Sequence, residues 1–120
     1  MSSVYQYYKE KNYSPFAPQN RNISNVAVAS TITIYTPTTG TRLAVTNLNV
    51  SANAAGTIVF HFGGNNDGQK LAEFSVGASS TISPSIGSWE STAINAPLVV
   101  RVSTALTNGW QVSVEGFELD

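Results

Sequence analysis

The run from Thr41 to Phe62 constrains this chain more than any other part of it. It reads TRLAVTNLNV, then SANAAG, then TIVFHF: two alternating segments rich in β-branched and aromatic residues around a small-residue turn. Side chains alternate across a strand, so Ile58, Phe60 and Phe62 share one face while Val59 and His61 share the other. Two such segments around a short turn predict a β-hairpin. The first segment changes phase, with Leu43 and Val45 on one parity and Leu48 and Val50 on the other. A β-bulge at Thr46 or Asn47 returns all four to the core face.

The same alternation continues along the chain. Val26, Val28, Ile32 and Ile34 precede a turn at Thr36-Pro37-Thr38-Thr39-Gly40. Ala72, Phe74 and Val76 follow the glycine-rich Gly63 to Gly68 loop. Ile82 and Ile86 flank Pro84, which marks an edge strand or an irregular crossing. Trp89 opens a short segment. Leu98, Val100 and Val102 alternate with Val99, Arg101 and Ser103, and after Thr107-Asn108-Gly109 the series Trp110, Val112, Val114 resumes it. Phe117 and Leu119 take the opposite parity, which predicts a second bulge at Gly116. No segment carries the i, i+3, i+4 spacing of an amphipathic helix. About eight short strands at intervals of roughly 8 to 12 residues predict an all-β, antiparallel, jelly-roll-like β-sandwich. Its core is expected to hold Ile58, Phe60, Leu98, Val100, Val112 and Val114.

Residues 1–24 differ in character. Tyr5, Tyr7, Tyr8, Tyr13 and Phe16 lie among Lys9, Glu10, Lys11, Pro15, Pro18 and Arg21, giving this stretch a net charge of +2 and the remainder −3. No helical or strand period holds these aromatics, and the prolines interrupt any ladder. The expected organisation is an N-terminal arm (1–24) and a β-sandwich domain (25–120). Aromatic side chains gain most from burial, so the arm either packs on its own domain or docks on another chain. The second reading is the one expected: the arm leaves the sandwich and attaches the protein to another chain, with Tyr5, Tyr7, Tyr8, Tyr13, Phe16 and Arg21 as the candidate partner-binding residues.

Composition limits the chemistry. The chain is 42% hydrophobic but only 11% charged, with a formal net charge of −1, whereas about 25% of a typical soluble domain is charged. A nucleic-acid footprint needs a basic stripe, which is absent from the sequence. With no cysteine there is neither a disulfide framework nor a thiolate metal site. No apolar run is long enough to span a membrane, and the first residues lack the apolar core of a signal peptide. His61 is the only histidine; mid-strand, opposite Phe60 and Phe62, it reads as a surface or inter-subunit residue. Asp67 with Asn65 and Asn66 matches neither a calcium loop nor a phosphate cradle. Glu73 and Glu115 both fall on strands, so a paired-carboxylate site stays open. Trp110 shares parity with Val112 and Val114 and reads as core, leaving Trp89 as the candidate for an exposed, sugar-stacking contact. These features imply no enzyme, cofactor or metal.

From residue 40 onward the order of elements is GTRLAVTNL, a small-residue turn, TIVF, a glycine-rich loop, LAEF, a Ser/Gly-rich segment, NAPLVV and VSVEGFE. Over about two thirds of the chain it resembles small β-sandwich virion proteins of tailed bacteriophages, including capsid cement (decoration) proteins and fibre-type modules. The resemblance implies a structural role: an oligomer, with a trimer favoured, that binds the major capsid protein or another virion protein and is assembled in the bacterial cytoplasm. A carbohydrate- or receptor-binding module of a tail fibre or adhesin is the alternative.

Overall fold

The computed structural model describes residues 4–11, 13–23, 30–63, 69–102 and 109–119. Within them a short helix, α1 (Val4–Glu10), precedes nine strands. These are β1 (Ser14–Ile23), β2 (Thr31–Tyr35), β3 (Arg42–Ala52), β4 (Gly56–Phe62), β5 (Gln69–Val76), β6 (Ser80–Ile82), β7 (Trp89–Glu90), β8 (Leu98–Val102) and β9 (Trp110–Leu119). Val26, Val28 and Thr107-Asn108 fall outside the described residues.

Strands pair from the two ends of the chain inward. β1 pairs with β9, β2 with β8, β3 with both β6 and β7, and β4 with β5, every pair antiparallel. Contacts of β9 with β3 and of β8 with β4 then complete two sheets. One has the order β1-β9-β3-β6 with β7 also on β3; the other has the order β2-β8-β4-β5. This nesting of hairpins, rolled into two packed sheets, is the jelly roll.

Thr41–Phe62 therefore does not form a hairpin. β3 and β4 lie in different sheets, and the turn between them carries the chain across the core. Each strand finds other neighbours within its sheet, while Leu48, Val50, Ile58 and Phe60 join one core cluster between the sheets. Alternation identifies a half-buried strand but not which strand lies beside it.

The phase slip in β3 is a bulge at Thr46: Val45 pairs with Gly116 and Asn47 with Glu115. Leu43, Val45, Leu48 and Val50 consequently all reach the core. β1 shifts register over the same stretch of β9, between Phe16 and Gln19. β9 itself keeps its alternation, so no bulge forms at Gly116. Phe117 and Leu119 stay on the outer face, where α1 covers them. Gly116 has a different purpose: a Cβ there would lie 2.0 Å from the carbonyl oxygen of Ala44 and 2.9 Å from Cε2 of Phe16.

The core holds Ile58, Phe60, Leu98, Val100, Val112 and Val114, each at most 1% exposed. Burying an aliphatic side chain to this degree contributes about 1.5–3 kcal/mol. Phe16 joins the same core and stacks on Tyr35, with ring centroids 4.3 Å apart.

The expected division into an arm and a body does not appear in the described residues. Ser14–Ile23 is an edge strand of the five-stranded sheet, and α1 packs on that sheet's outer face. Pro15 and Pro18 are compatible with this placement because an edge strand leaves one row of N–H groups unused and a bulge tolerates a missing donor.

Candidate functional site

Two regions of the five-stranded sheet's outer face concern function: the socket that receives α1 and the open polar surface beside it. The socket takes Tyr8 and Tyr13 of the N-terminal aromatics. A seven-residue helix is too short to be stable on its own in water. Tyr8 anchors it, 1% exposed, against Ala44, Phe117 and Leu119, with Tyr13 packed at the margin. The Tyr8 hydroxyl donates to the Glu90 carboxylate and meets Ser88 Oγ at 3.1 Å. Burial, reinforced by the Glu90 carboxylate, pushes the Tyr8 phenol up to about 12. Arg42 lies 3.8 Å from Glu90 and donates to the Ser91 carbonyl at 3.1 Å. Both charged side chains are partly exposed, so the ion pair contributes at most about 1 kcal/mol. Ser91 is buried; its hydroxyl accepts from the Leu43 N–H and donates to the Ala93 carbonyl.

The six N-terminal candidates do not form one contact surface. Tyr8 and Phe16 are buried in two separate clusters. Tyr13 is half-buried, and Tyr5 lies in α1. Tyr7 and Arg21 present exposed side chains. Tyr7 sits edge-on to Tyr8 with centroids 5.0 Å apart, and Lys11 Nζ lies 5.6 Å from its ring centre. The socket residues Phe117 and Leu119 were visible in the sequence as apolar side chains on the parity of Gln111, Ser113 and Glu115. That pattern signals an outer face that turns apolar at one end and needs a cover.

The other candidates are also placed. His61 is buried, not at the surface as expected, and lies in register between Val99 and Lys70. Val59 and Val99, on the same outer face, are buried too. Glu73 pairs with Val59 on the outer face of the four-stranded sheet, while Glu115 pairs with Asn47 on the outer face of the other. Packed sheets are about 10 Å apart and these side chains point away from each other, so the two carboxylates do not share a cleft. Trp89 is no open platform: it packs on the core between Phe60 and Phe74, with ring centroids 5.5 and 6.3 Å away. Trp110 is core, as expected. Beyond Gly63 the glycine-rich loop lies outside the described residues, among which no three acidic or histidine side chains converge as a metal site.

Away from α1, the outer face of the five-stranded sheet is polar and nearly uncharged. Strand register sets out one row as Asn22, Gln111, Ser51 and Thr81 across β1, β9, β3 and β6. A second row runs Asn20, Ser113 and Asn49, with Ser83 beside it. Asn47 and Glu115 follow at one end. Ser113 donates to Asn20 Oδ1, Ser83 donates to Asn49 Oδ1, and the Ser51 and Thr81 hydroxyls are 3.0 Å apart. This surface went unnoticed in the sequence because its residues come from four separated strands.

Compared with known proteins, the chain matches neither any protein-family profile nor any curated protein.

Proposed function

We propose that the chain is a non-enzymatic structural protein of a tailed-phage virion, which decorates the outside of the capsid and braces the subunits beneath. The observation that supports this reading most is the strand order, since the double-sheet jelly roll is common among viral capsid and lectin domains. A fold hosts many functions, so the choice among them comes from the resemblance described above. The placement of the reactive side chains agrees with a structural role: the acidic pair is split between opposite faces and His61 is buried mid-strand. A homo-oligomer bound to the major shell protein is the working form. Attachment uses the body of the sandwich, where Tyr7 and Arg21 present exposed side chains.

Immunogold labelling of particles purified from the source lysate, with antibody against the recombinant protein, tests this directly. Regular labelling of heads is expected, together with weakened particle binding by the Tyr7→Ala, Arg21→Glu double variant. Particles that lack the chain when digested and sequenced by mass spectrometry would end the proposal.

A further inference from the structure

A strand at the edge of a sheet presents unpaired N–H and C=O groups, and proteins guard such edges with prolines, bulges, short strands or charges. The two sheets differ in how well their edges are guarded. β1 carries Pro15 and Pro18 and shifts register between Phe16 and Gln19. β6 and β7, on the other side of that sheet, have three and two residues. β2 has five residues and shifts register between Thr33 and Tyr35. β5 has eight residues and no proline, and it ends the order β2-β8-β4-β5 with no described strand beyond it. Its one bulge, at Leu71, leaves Ala72 to Val76 in regular register with β4. We propose that a second copy of the chain adds here, β5 against β5 and antiparallel, to make one continuous sheet across two molecules. This names the contact surface for the homo-oligomer of the reading above, yet it rests on the sheet edges alone. It is tested on the purified chain, so it holds or fails independently of particle labelling.

Two charged side chains of β5 select this occupant. Lys70 and Glu73 are exposed on the outer face of the four-stranded sheet, where Lys70 lies in register with His61 and Glu73 with Val59. Because Leu71 is the bulged residue, Lys70 and Glu73 flank Ala72 on that face. A two-fold axis through Ala72 therefore sets Lys70 of each copy against the partner's Glu73. Opposite charges across an antiparallel pair are favourable, whereas centring the pair on Glu73 would oppose two carboxylates. The same charges that deter a foreign strand thus match β5 to its own antiparallel copy. Such a contact is isologous and closes at two copies, so it does not by itself generate the trimer that the resemblance implies.

The margin beside this edge is apolar. Leu71, Phe74 and Trp89 are only partly buried, and the Phe74 and Trp89 rings stack with centroids 6.3 Å apart. A strand added to β5 covers part of what Leu71 and Phe74 still expose, and aromatic side chains are among those that most often dominate interfaces.

Sedimentation velocity of the full chain, followed from micromolar to millimolar concentration, measures the association, and a monomer–dimer equilibrium is expected. Glu73→Lys turns both charge pairs repulsive and raises the dissociation constant by about tenfold. Lys70→Glu does the same, and the combined Lys70→Glu, Glu73→Lys exchange restores the wild-type value. Mixing the two single variants gives a heterodimer tighter than either homodimer, since one edge is then wholly basic and the other wholly acidic. The chain has no cysteine, so Ala72→Cys should form a covalent dimer on mild oxidation, because residues opposite each other in an antiparallel pair lie within disulfide range. Ala17→Cys, exposed on the β1 edge, should not. Unchanged circular dichroism reports an intact fold in each variant. A chain that stays monomeric at millimolar concentration overturns the proposal. So does a dimer indifferent to both charge reversals, or one that cross-links through Ala17→Cys and not through Ala72→Cys.

Discussion

The ring of Tyr8 lies on that of Phe117, with centroids 5.3 Å apart and planes 27° from parallel. This stack joins the first helix to the last strand. It turns what reads as an extended N-terminal arm into a cover for the apolar end of a sheet, and it gives the phenol a buried site beside a carboxylate.

Tyr8→Phe keeps the stack and removes the hydrogen bonds to Glu90 and Ser88. The expected cost at neutral pH is about 1 to 2 kcal/mol. Because the phenol is raised from 10.0 to about 12 by folding, its contribution is fully present below pH 10 and is lost as pH rises through the folded-state value. That displacement corresponds to roughly 2 to 3 kcal/mol. Urea unfolding from pH 8 upward should therefore show the wild type losing stability faster than Tyr8→Phe. Tyr35, also raised by burial, is common to both proteins and cancels in the comparison. Parallel curves would mean that Tyr8 is not the responsible group.

Gly116→Ala tests the close approach of three strands. The added methyl meets a backbone carbonyl on β3 and the Phe16 ring on β1, and the carbonyl can move only if the sheet does. Overpacking of this kind costs about 1–3 kcal/mol and occasionally more, and the upper end is expected here. Thermal unfolding measures it; a neutral result would show that β3 and β9 are not as close as described.

Phe60→Ala removes a fully buried ring that contacts Phe74 edge-on and Trp89 at a tilt. A loss of about 3–5 kcal/mol is expected, read by denaturant midpoint. Trp89 fluorescence should shift to longer wavelength as its packing partner disappears. An unchanged midpoint would place Phe60 outside the core.

The local rule of alternation made much of this fold legible. It identified the inward faces of β3, β4, β8 and β9, and the phase slip between Val45 and Leu48 led to the bulge at Thr46. What alternation does not encode is neighbourhood: β3 and β4 looked like a hairpin because each had a half-buried pattern, yet they face each other across the core. Phe117 and Leu119 were misread for a related reason. A bulge and a locally covered outer face leave the same parity signature, and choosing between them requires knowing that Tyr8 lies above. The polar outer face of the five-stranded sheet was hidden altogether, since four strands distant in sequence build it and none of its residues is unusual alone.

Truncation separates the roles of the N-terminal elements. Removing residues 1–13 takes away α1, Tyr8 and Tyr13 but leaves all nine strands. The product should fold, with Ala44, Phe117 and Leu119 newly exposed; it should bind a hydrophobic dye and be less stable than the full chain. Removing residues 1–20 also deletes Phe16 from the core and most of the ladder between β1 and β9. This uncovers the edge of β9, including the backbone groups that had paired with Ser14, Pro15 and Phe16, and the second product should aggregate or stay unfolded. Circular dichroism and size-exclusion chromatography of the two truncations distinguish these outcomes. If the 1–20 deletion proved as stable and monodisperse as the 1–13 deletion, β1 would be a dispensable attachment and the N-terminal segment would again be an arm.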